Sequence, residues 1–442
     1  MVATCQSCAA QMPRWMGRCP ECGEWGTVVE EPVGGNGAAT VTIVETESLA
    51  SFDADAAQHV PTGIEEVDRV LGGGIAAGSV VLLAGEPGVG KSTLILQVAA
   101  ALGRDREVLL VCGEEAPQQV GARAARLGPV ASEVRTLASP ELGGILGAIE
   151  SGGAQVVVVD SVQTVFDAGI PSAPGSVSQV RECGARLARA ARDRGVTLIF
   201  VGHVTKEGAV AGPRVLEHIV DVVLHFEGER SSGIRVLRAL KNRFGSTQDV
   251  GFFEMRSDGL FAIRDASAYL LADRSKGLSG SVLAACVDGQ RPYVCEIQAL
   301  VMKSQLSVPR RSAIGVDASR LPLLLAVIEQ RAEVKLHDQD VYVSAVGGIR
   351  AAEPAADLPV AMAILSSFFD VALPDDTVAF GEIGLSGQVR QVVAAERRLA
   401  EARSVGCSRV FVPYNYAGPA DGVELQRIRH VRVALELIGH RC

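Results

Sequence analysis

Four short runs along the chain are apolar without interruption. They lie in "SVVLLAG", "EVLLVC", "AQVVVVD" and "VTLIFVG", and end near residues 85, 112, 160 and 202. Runs of this kind, spaced by helix-length segments, are the pattern of strands buried on both faces of a parallel sheet. The run "SGIRVLRAL", 232–240, alternates instead and predicts a strand with one half-polar face. From about Ala272 the pattern changes to short strands with one long apolar helix, "SGSVLAACVDG", "VYVSAVGGIR", "LPVAMAILSSFF" and "RVFVPY". Between residues 31 and 57 the chain is Gly-, Ala- and acid-rich and reads as a linker, with room for one short strand at "TVTIVE". The expected layout is a small N-terminal module at 1–30, the linker at 31–57, an α/β core at 58–268 and a second α+β domain at 269–442.

Composition narrows the class. The 442 residues are 48% hydrophobic and 21% charged, with 48 glycines and only 4% aromatics. This is a globular α/β chain rich in tight loops. A net charge of −9 excludes a global basic footprint, so any nucleic-acid contact has to be local. No apolar run is long and unbroken enough to span a bilayer, and no signal peptide is visible ahead of Cys5, Cys8 and Arg14. The expected location is cytoplasmic, with no membrane partner. Ten cysteines in that setting imply thiols or metal in preference to disulfides.

The metal is expected at the start. In "CQSCAAQMPRWMGRCPECGEWGT", Cys5 with Cys8 and Cys19 with Cys22 form two C-x-x-C pairs. Four thiolates in a tetrahedron make a closed structural zinc site, and in so short a module the Zn²⁺ supplies most of the folding free energy. Arg14, Trp15 and Arg18 in the intervening loop suit a nucleic-acid or a protein contact equally.

The first apolar run leads into "GEPGVGKST", which fits G-x-x-x-x-G-K-[ST] over Gly85, Glu86, Pro87, Gly88, Val89, Gly90, Lys91, Ser92 and Thr93. The glycines let backbone N–H groups turn inward around phosphate oxygens. Lys91 reaches the β- and γ-phosphates of ATP, and the Ser92 hydroxyl ligates Mg²⁺. A helix beginning there directs its positive end at the same phosphates. Asp160 ends its strand in the position that holds Mg²⁺ through water. Glu114 and Glu115 close another strand, and either carboxylate suits a general base for the attacking water. His203 and Thr205 end the fourth strand. Two loops without apolar pattern, "FDAGIPSAPGSVSQ" and "KEGAVAGP", flank this end of the sheet. Arg181, Arg186, Arg189, Arg192 and Arg194 follow the first loop; no helical face takes all five, so much of this charge reads as solvated surface.

After the alternating strand comes "KNRFG", Lys241–Gly245, two cations around one Asn. Taken alone it is either a solvated hairpin tip or a tool aimed at something negative.

Taken in order, the four-cysteine knuckle, "TGIEEVDRVLGGG", "GEPGVGKST", "VVDSVQT" and "KNRFG" resemble the bacterial RadA (Sms) DNA-repair family over nearly the whole chain. The resemblance implies a RecA-like P-loop ATPase core with an N-terminal zinc ribbon and a C-terminal Lon-protease-like α+β domain. It further implies a DnaB-helicase-like homo-hexamer working on single-stranded and branched DNA in recombination, beside a RecA-type recombinase. By resemblance to RecA-like ATPases, Glu114 is preferred as the catalytic carboxylate. His203 then senses the γ-phosphate, and the two loops hold single-stranded DNA. Lys241 or Arg243 reaches a neighbour's ATP as an arginine finger does, or else touches the DNA backbone. "AEPAADLPVAMA" and "GEIGLSGQVRQVVAAERRLAEA" resemble the Lon peptidase motifs but put Ala355 and Glu396 where the Ser–Lys dyad belongs, so no peptidase activity is expected. Ser366 and Ser367 are expected to be packed. A signalling ATPase similar to KaiC is the other reading of the same core.

Overall fold

The computed structural model describes residues 2–5, 11–31, 59–128, 133–203, 215–228 and 233–439. The chain divides into two compact units, Met1–Ala56 and Ala57–Cys442. The first holds a three-stranded antiparallel sheet in which β1 (Val2–Cys5) lies between β2 (Gln11–Met12) and β3 (Val28–Glu31). Among the described residues its core is Ala3, Met12, Cys19 and Val28, with Met16 against them. So few apolar side chains cannot offset the entropy of ordering a module of this size, which is the setting in which a metal holds the fold.

The second unit opens with β4 (His59–Val60), α1 (Glu65–Leu71) and β5 (Ile75–Ala76). Then strands and helices alternate: β6 (Val80–Gly85), α2 (Lys91–Leu102), β7 (Val108–Cys112), α3 (Pro117–Leu127), β8 (Val134–Leu137), α4 (Leu142–Glu150), β9 (Val156–Asp160), α5 (Val177–Arg194) and β10 (Thr197–His203). Four strands follow: β11 (Val222–Glu227), β12 (Ile234–Asn242), β13 (Val250–Arg256) and β14 (Gly259–Ala262). They form one sheet in the order β14-β13-β12-β11-β6-β10-β9-β7-β8. β11, β6, β10, β9, β7 and β8 run parallel, whereas β12, β13 and β14 add antiparallel strands at one edge. All six residues of β6 are buried, as the uninterrupted apolar run requires of a central strand covered on both faces. One face packs against α1, α2 and α3, and the other against α4 and α5.

The C-terminal part continues through α6 (Ala266–Leu271), β15 (Ser281–Asp288), β16 (Arg291–Lys303), β17 (Arg311–Ile314), α7 (Arg320–Arg331) and β18 (Gln339–Ala345). It ends with α8 (Asp357–Phe369), β19 (Thr377–Ala379), β20 (Glu382–Ile383), β21 (Val389–Arg390), α9 (Ala395–Ser404), β22 (Arg409–Pro413), β23 (Glu424–Ile428) and α10 (Val431–Gly439). Seven of these strands form a second sheet, ordered β17-β18-β16-β15-β19-β22-β23. The apolar run "LPVAMAILS" becomes the first ten residues of α8 with Asp357, all buried. Ser366 lies within that buried stretch, accepting from the Gly280 N–H and donating to the Val371 carbonyl.

The two sheets meet in one compact unit. Arg291 donates to the wholly buried Glu66 of α1 and to the carbonyls of Val250, Ile263 and Arg264. Arg238 on β12 grips Asp288 with both terminal nitrogens. Residue 268, where the sequence reading divides the two parts, lies inside α6.

Candidate nucleotide site and the KNRFG strand

β6 ends at Gly85, and the loop Glu86–Gly90 turns directly into α2. Two positions require glycine, Gly85 for space and Gly90 for its left-handed backbone. A Cβ on Gly85 would meet the Phe226 carbonyl at 2.3 Å, and one on Gly90, already at φ 112°, would meet Met255 Cε at 2.4 Å. Glu86, Pro87 and Gly88 are exposed at the tip, Val89 is buried beneath it, and Ser92 and Thr93 are half-buried in the first turn of α2.

Lys91 is only 3% exposed. Its ammonium donates to the carbonyls of Gly85 at 2.9 Å and Glu86 at 3.0 Å, and lies 3.0 Å from His203 Nδ1. Burial lowers its pKa to about 8, against the opposing pull of Asp160 and Glu114. On the far side of the imidazole, His203 Nε2 lies 2.7 Å from Glu114 Oε1, which also accepts from the Ser161 hydroxyl. With Lys91 donating to Nδ1, the Nε2–H form of His203 donates to Glu114. These bonds, led by that from His203, hold the Glu114 carboxyl down at about 2, so it is an anion at neutral pH. Glu115 lines the same cleft as Ser92, Glu114 and Asp160, but its carboxylate is paired with Arg123. The geometry thus favours Glu114 of the two adjacent acids for the catalytic position.

Asp160 ends β9 beside this group. Burial raises its pKa, opposed by a hydrogen bond with Ser92. Its Oδ1 is buried with no hydrogen-bond partner among the described residues. A buried carboxylate oxygen left open next to the Ser92 hydroxyl fits a hard cation, so Ser92 and Asp160 are the residues that would hold Mg²⁺.

In the N-terminal unit, Cys19 and Cys22 sit on a tight turn. The Gly23 N–H donates to the Cys19 carbonyl at 2.9 Å, and Gly23 takes φ 75°. Cys5 ends β1, while its side chain and Cys8 lie outside the described residues. The turn suits Cys19 and Cys22 as two of the four thiolates of the Zn²⁺ site expected from the sequence.

The KNRFG residues are elsewhere. β12 pairs with β11, and β11 with β6, so that Asn242 stands level with Val222 and Val81. That is four rows before Gly85, or about 13 Å at ~3.3 Å per residue. Lys241 and Arg243 therefore lie toward the beginning of β6 and the phosphate loop at its end. Lys241 Nζ donates to the carbonyls of Glu217 at 2.6 Å and Val220 at 2.7 Å. Arg243 donates to Asp221 Oδ1 at 3.0 Å with its side chain 57% exposed. Arg192 of α5 reaches both oxygens of the same carboxylate at 3.1 Å, and Asp221 Oδ2 accepts the Val80 N–H at 3.0 Å. Phe244 packs on the core shared by α1 and α2. Gly245 serves close approach in place of turn geometry. It does not adopt positive φ, and a Cβ there would press on Asn242 Nδ2 at 3.1 Å.

Among the other expected positions, all five arginines of α5 are exposed, and Arg186 pairs with Asp167. The loop 166–179, which has no apolar pattern in the sequence, is tied down. Buried Gln179 accepts from the Asp167 N–H and donates to the carbonyls of Asp167, Ile170 and Ser172 at 2.9–3.3 Å. Thr205 and the loop "KEGAVAGP" lie outside the described residues. The sequence reading missed Ser161, Arg123, Asp221 and Arg235. Only Arg235 carried a signal, as a cation in the alternating run on β12.

In the C-terminal part Ala355 is buried and Glu396 exposed. The acids flanking Ala355 are taken by arginines. Glu353 receives both terminal nitrogens of the fully buried Arg398 at 2.6 Å, and Asp357 receives Arg320. These ion pairs flank a position that carries only the Ala355 methyl.

Family models match three segments: a rubredoxin metal binding domain at residues 4–30, an AAA domain at 45–209, and subunit ChlI of Mg-chelatase at 324–416. The DNA repair protein RadA of Bacillus subtilis is 44% identical over 443 residues, covering 98% of this chain and 97% of that protein. The RadA proteins of Pseudomonas aeruginosa and Mycolicibacterium smegmatis are each 42% identical, covering 98% of this chain and 98% and 95% of theirs. The chain belongs to the RadA DNA-repair family. As a RadA-family protein it combines a RecA-like ATPase domain, a zinc ribbon and a Lon-like C-terminal domain. No helix of the described residues is long and apolar enough to cross a membrane.

Proposed function

We propose that this RadA-family chain is a DNA-dependent ATP hydrolase. It works as a homo-hexameric motor on single-stranded DNA, driving branch migration of recombination intermediates beside a RecA-type recombinase. The observation that carries this is the separation of KNRFG from the phosphate loop along one sheet. A cation that completes an ATP site yet lies at the other end of its own sheet belongs to a neighbour's site, which requires a ring or filament.

Before nucleotide arrives, Lys91 spans the loop carbonyls and His203. The β- and γ-phosphates offer the ammonium stronger partners, so binding draws it off His203. Bound Mg²⁺ would supply charge neutralisation at the β- and γ-phosphate oxygens. Glu114, already ionised, takes the proton of the attacking water at its carboxylate, and His203 holds that carboxylate in place. Lys241 and Arg243 stabilise charge developing on the γ-phosphate of the adjacent protomer. The C-terminal domain acts as a scaffold, and the boundary near residue 268 divides two parts that move together. The test is ATP turnover with and without single-stranded DNA across a salt series. Stimulation that fades steeply with salt is expected. Turnover without any response to DNA would remove the motor reading and favour a signalling ATPase.

A further inference from the structure

The inward-facing N–H groups of a phosphate loop leave its carbonyls pointing outward, and each buried carbonyl needs a donor. Lys91 serves Gly85 and Glu86. These are bonds it gives up when it turns to a phosphate. Val89 is served differently. Its carbonyl accepts from Nε of Arg235 at 3.0 Å, in the middle of β12. Arg235 is 5% exposed and also donates from Nη1 to its own neighbour's carbonyl, at Ile234. Space for it is made by Gly228, where a Cβ would stand 2.6 Å from Arg235 Cδ. Burial pushes the guanidinium pKa down, so the site is maintained against a desolvation penalty.

We propose that Arg235 is a positioning residue for ATP binding, a fixed clamp on the Val89 carbonyl that keeps the loop's N–H groups turned toward the phosphates while Lys91 moves. The same strand carries Arg238, held by Asp288 of the second sheet, and ends in Lys241 and Asn242. The clamp thus ties the nucleotide loop to the strand that bears the KNRFG cations. This inference rests on nucleotide binding at the loop but not on the motor reading.

The test uses the full-length protein and measures the dissociation constant for a fluorescent ATP analogue with Mg²⁺, kcat and KM for ATP, and the thermal midpoint without nucleotide. Arg235→Met keeps the stem and removes the donors. Losing a hydrogen bond from a charged group should weaken nucleotide binding by roughly tenfold or more. Arg235→Lys restores one donor and should recover most of it, remaining about two- to fivefold weaker than the parent. Arg238→Met removes a cation from the same strand without touching the loop and should leave the dissociation constant within about twofold while lowering the midpoint. Parental affinity in Arg235→Met overturns the proposal. So does an equal loss in Arg238→Met, because the effect would then be general destabilisation. If Arg235→Met does not fold, Arg235→Lys decides: an unchanged dissociation constant overturns the clamp.

Discussion

Arg243 and Asp221 are joined at 3.0 Å at the start of the central strand, where Asp221 also holds the Val80 N–H. The cation of KNRFG is thereby anchored to the beginning of β6, while Lys91 closes the other end of the same strand. Within one subunit the KNRFG strand end and the phosphate loop stand four rows apart along the sheet, and on the proposed function they are halves of two different ATP sites. Arg243 is held by Asp221 and its side chain is 57% exposed, so the proposed role asks it to act on something outside its own subunit.

Asp221 should matter to stability as well as to orientation. Asp221→Asn keeps an acceptor for Val80 but loses both arginine pairs of a nearly buried carboxylate. A loss of roughly 1–3 kcal/mol is expected from equilibrium urea unfolding. DNA-stimulated turnover should fall more than nucleotide affinity, because Arg243 loses its anchor. A variant with parental stability would show these pairs to be surface decoration.

Lys91 gives a pH signature. Burial pushes its ammonium down to about 8, and phosphate binding would raise that value because it favours the charged form. Affinity for ATP should be level below pH 8 and fall above it, by up to about tenfold per pH unit until the complex itself titrates. Isothermal titration between pH 7 and 9.5 reads this directly. Affinity independent of pH over that range would mean that Lys91 does not meet the phosphates. Lys91→Ala should abolish turnover.

The carboxylate beside it divides binding from chemistry. Glu114→Gln should bind ATP near parental affinity and lose turnover by about 10²-fold or more. Glu115→Gln, which removes only a partner of Arg123, should retain most of it. The reverse ranking in a phosphate-release assay would exchange the two assignments.

The C-terminal domain should resist conversion to a peptidase. Ala355→Ser with Glu396→Lys restores the residue types only, since Glu396 is exposed and the neighbouring acids are bound by Arg398 and Arg320. No casein cleavage is expected. Arg398→Met, by contrast, strands Glu353 and should cost about 3–5 kcal/mol of stability.

The α/β class was legible because buried parallel strands such as Val80–Gly85 are written as unbroken apolar runs, and the phosphate loop because its chemistry is local in sequence. The choice between Glu114 and Glu115 was not. It depends on Ser161 and His203, brought in from two other strand ends. Asp221 gave no signal and Arg235 none beyond a cation in an alternating run, since their partners Val80 and Val89 are 141 and 146 residues away. The order within loop 166–179 was hidden in one buried glutamine, whose amide does the work that an apolar pattern would have announced.

The central claim is that KNRFG completes a neighbour's site. The most direct measurement is ATP hydrolysis by mixtures of two inactive proteins, Lys91→Ala and Lys241→Ala, titrated against each other in the presence of single-stranded DNA. In a mixed ring, an intact phosphate loop from one subunit meets an intact KNRFG from the next. Activity should rise above either parent and peak near equal proportions. Mixtures that never exceed their parents, although mass photometry shows both proteins in the same assemblies, would contradict the account.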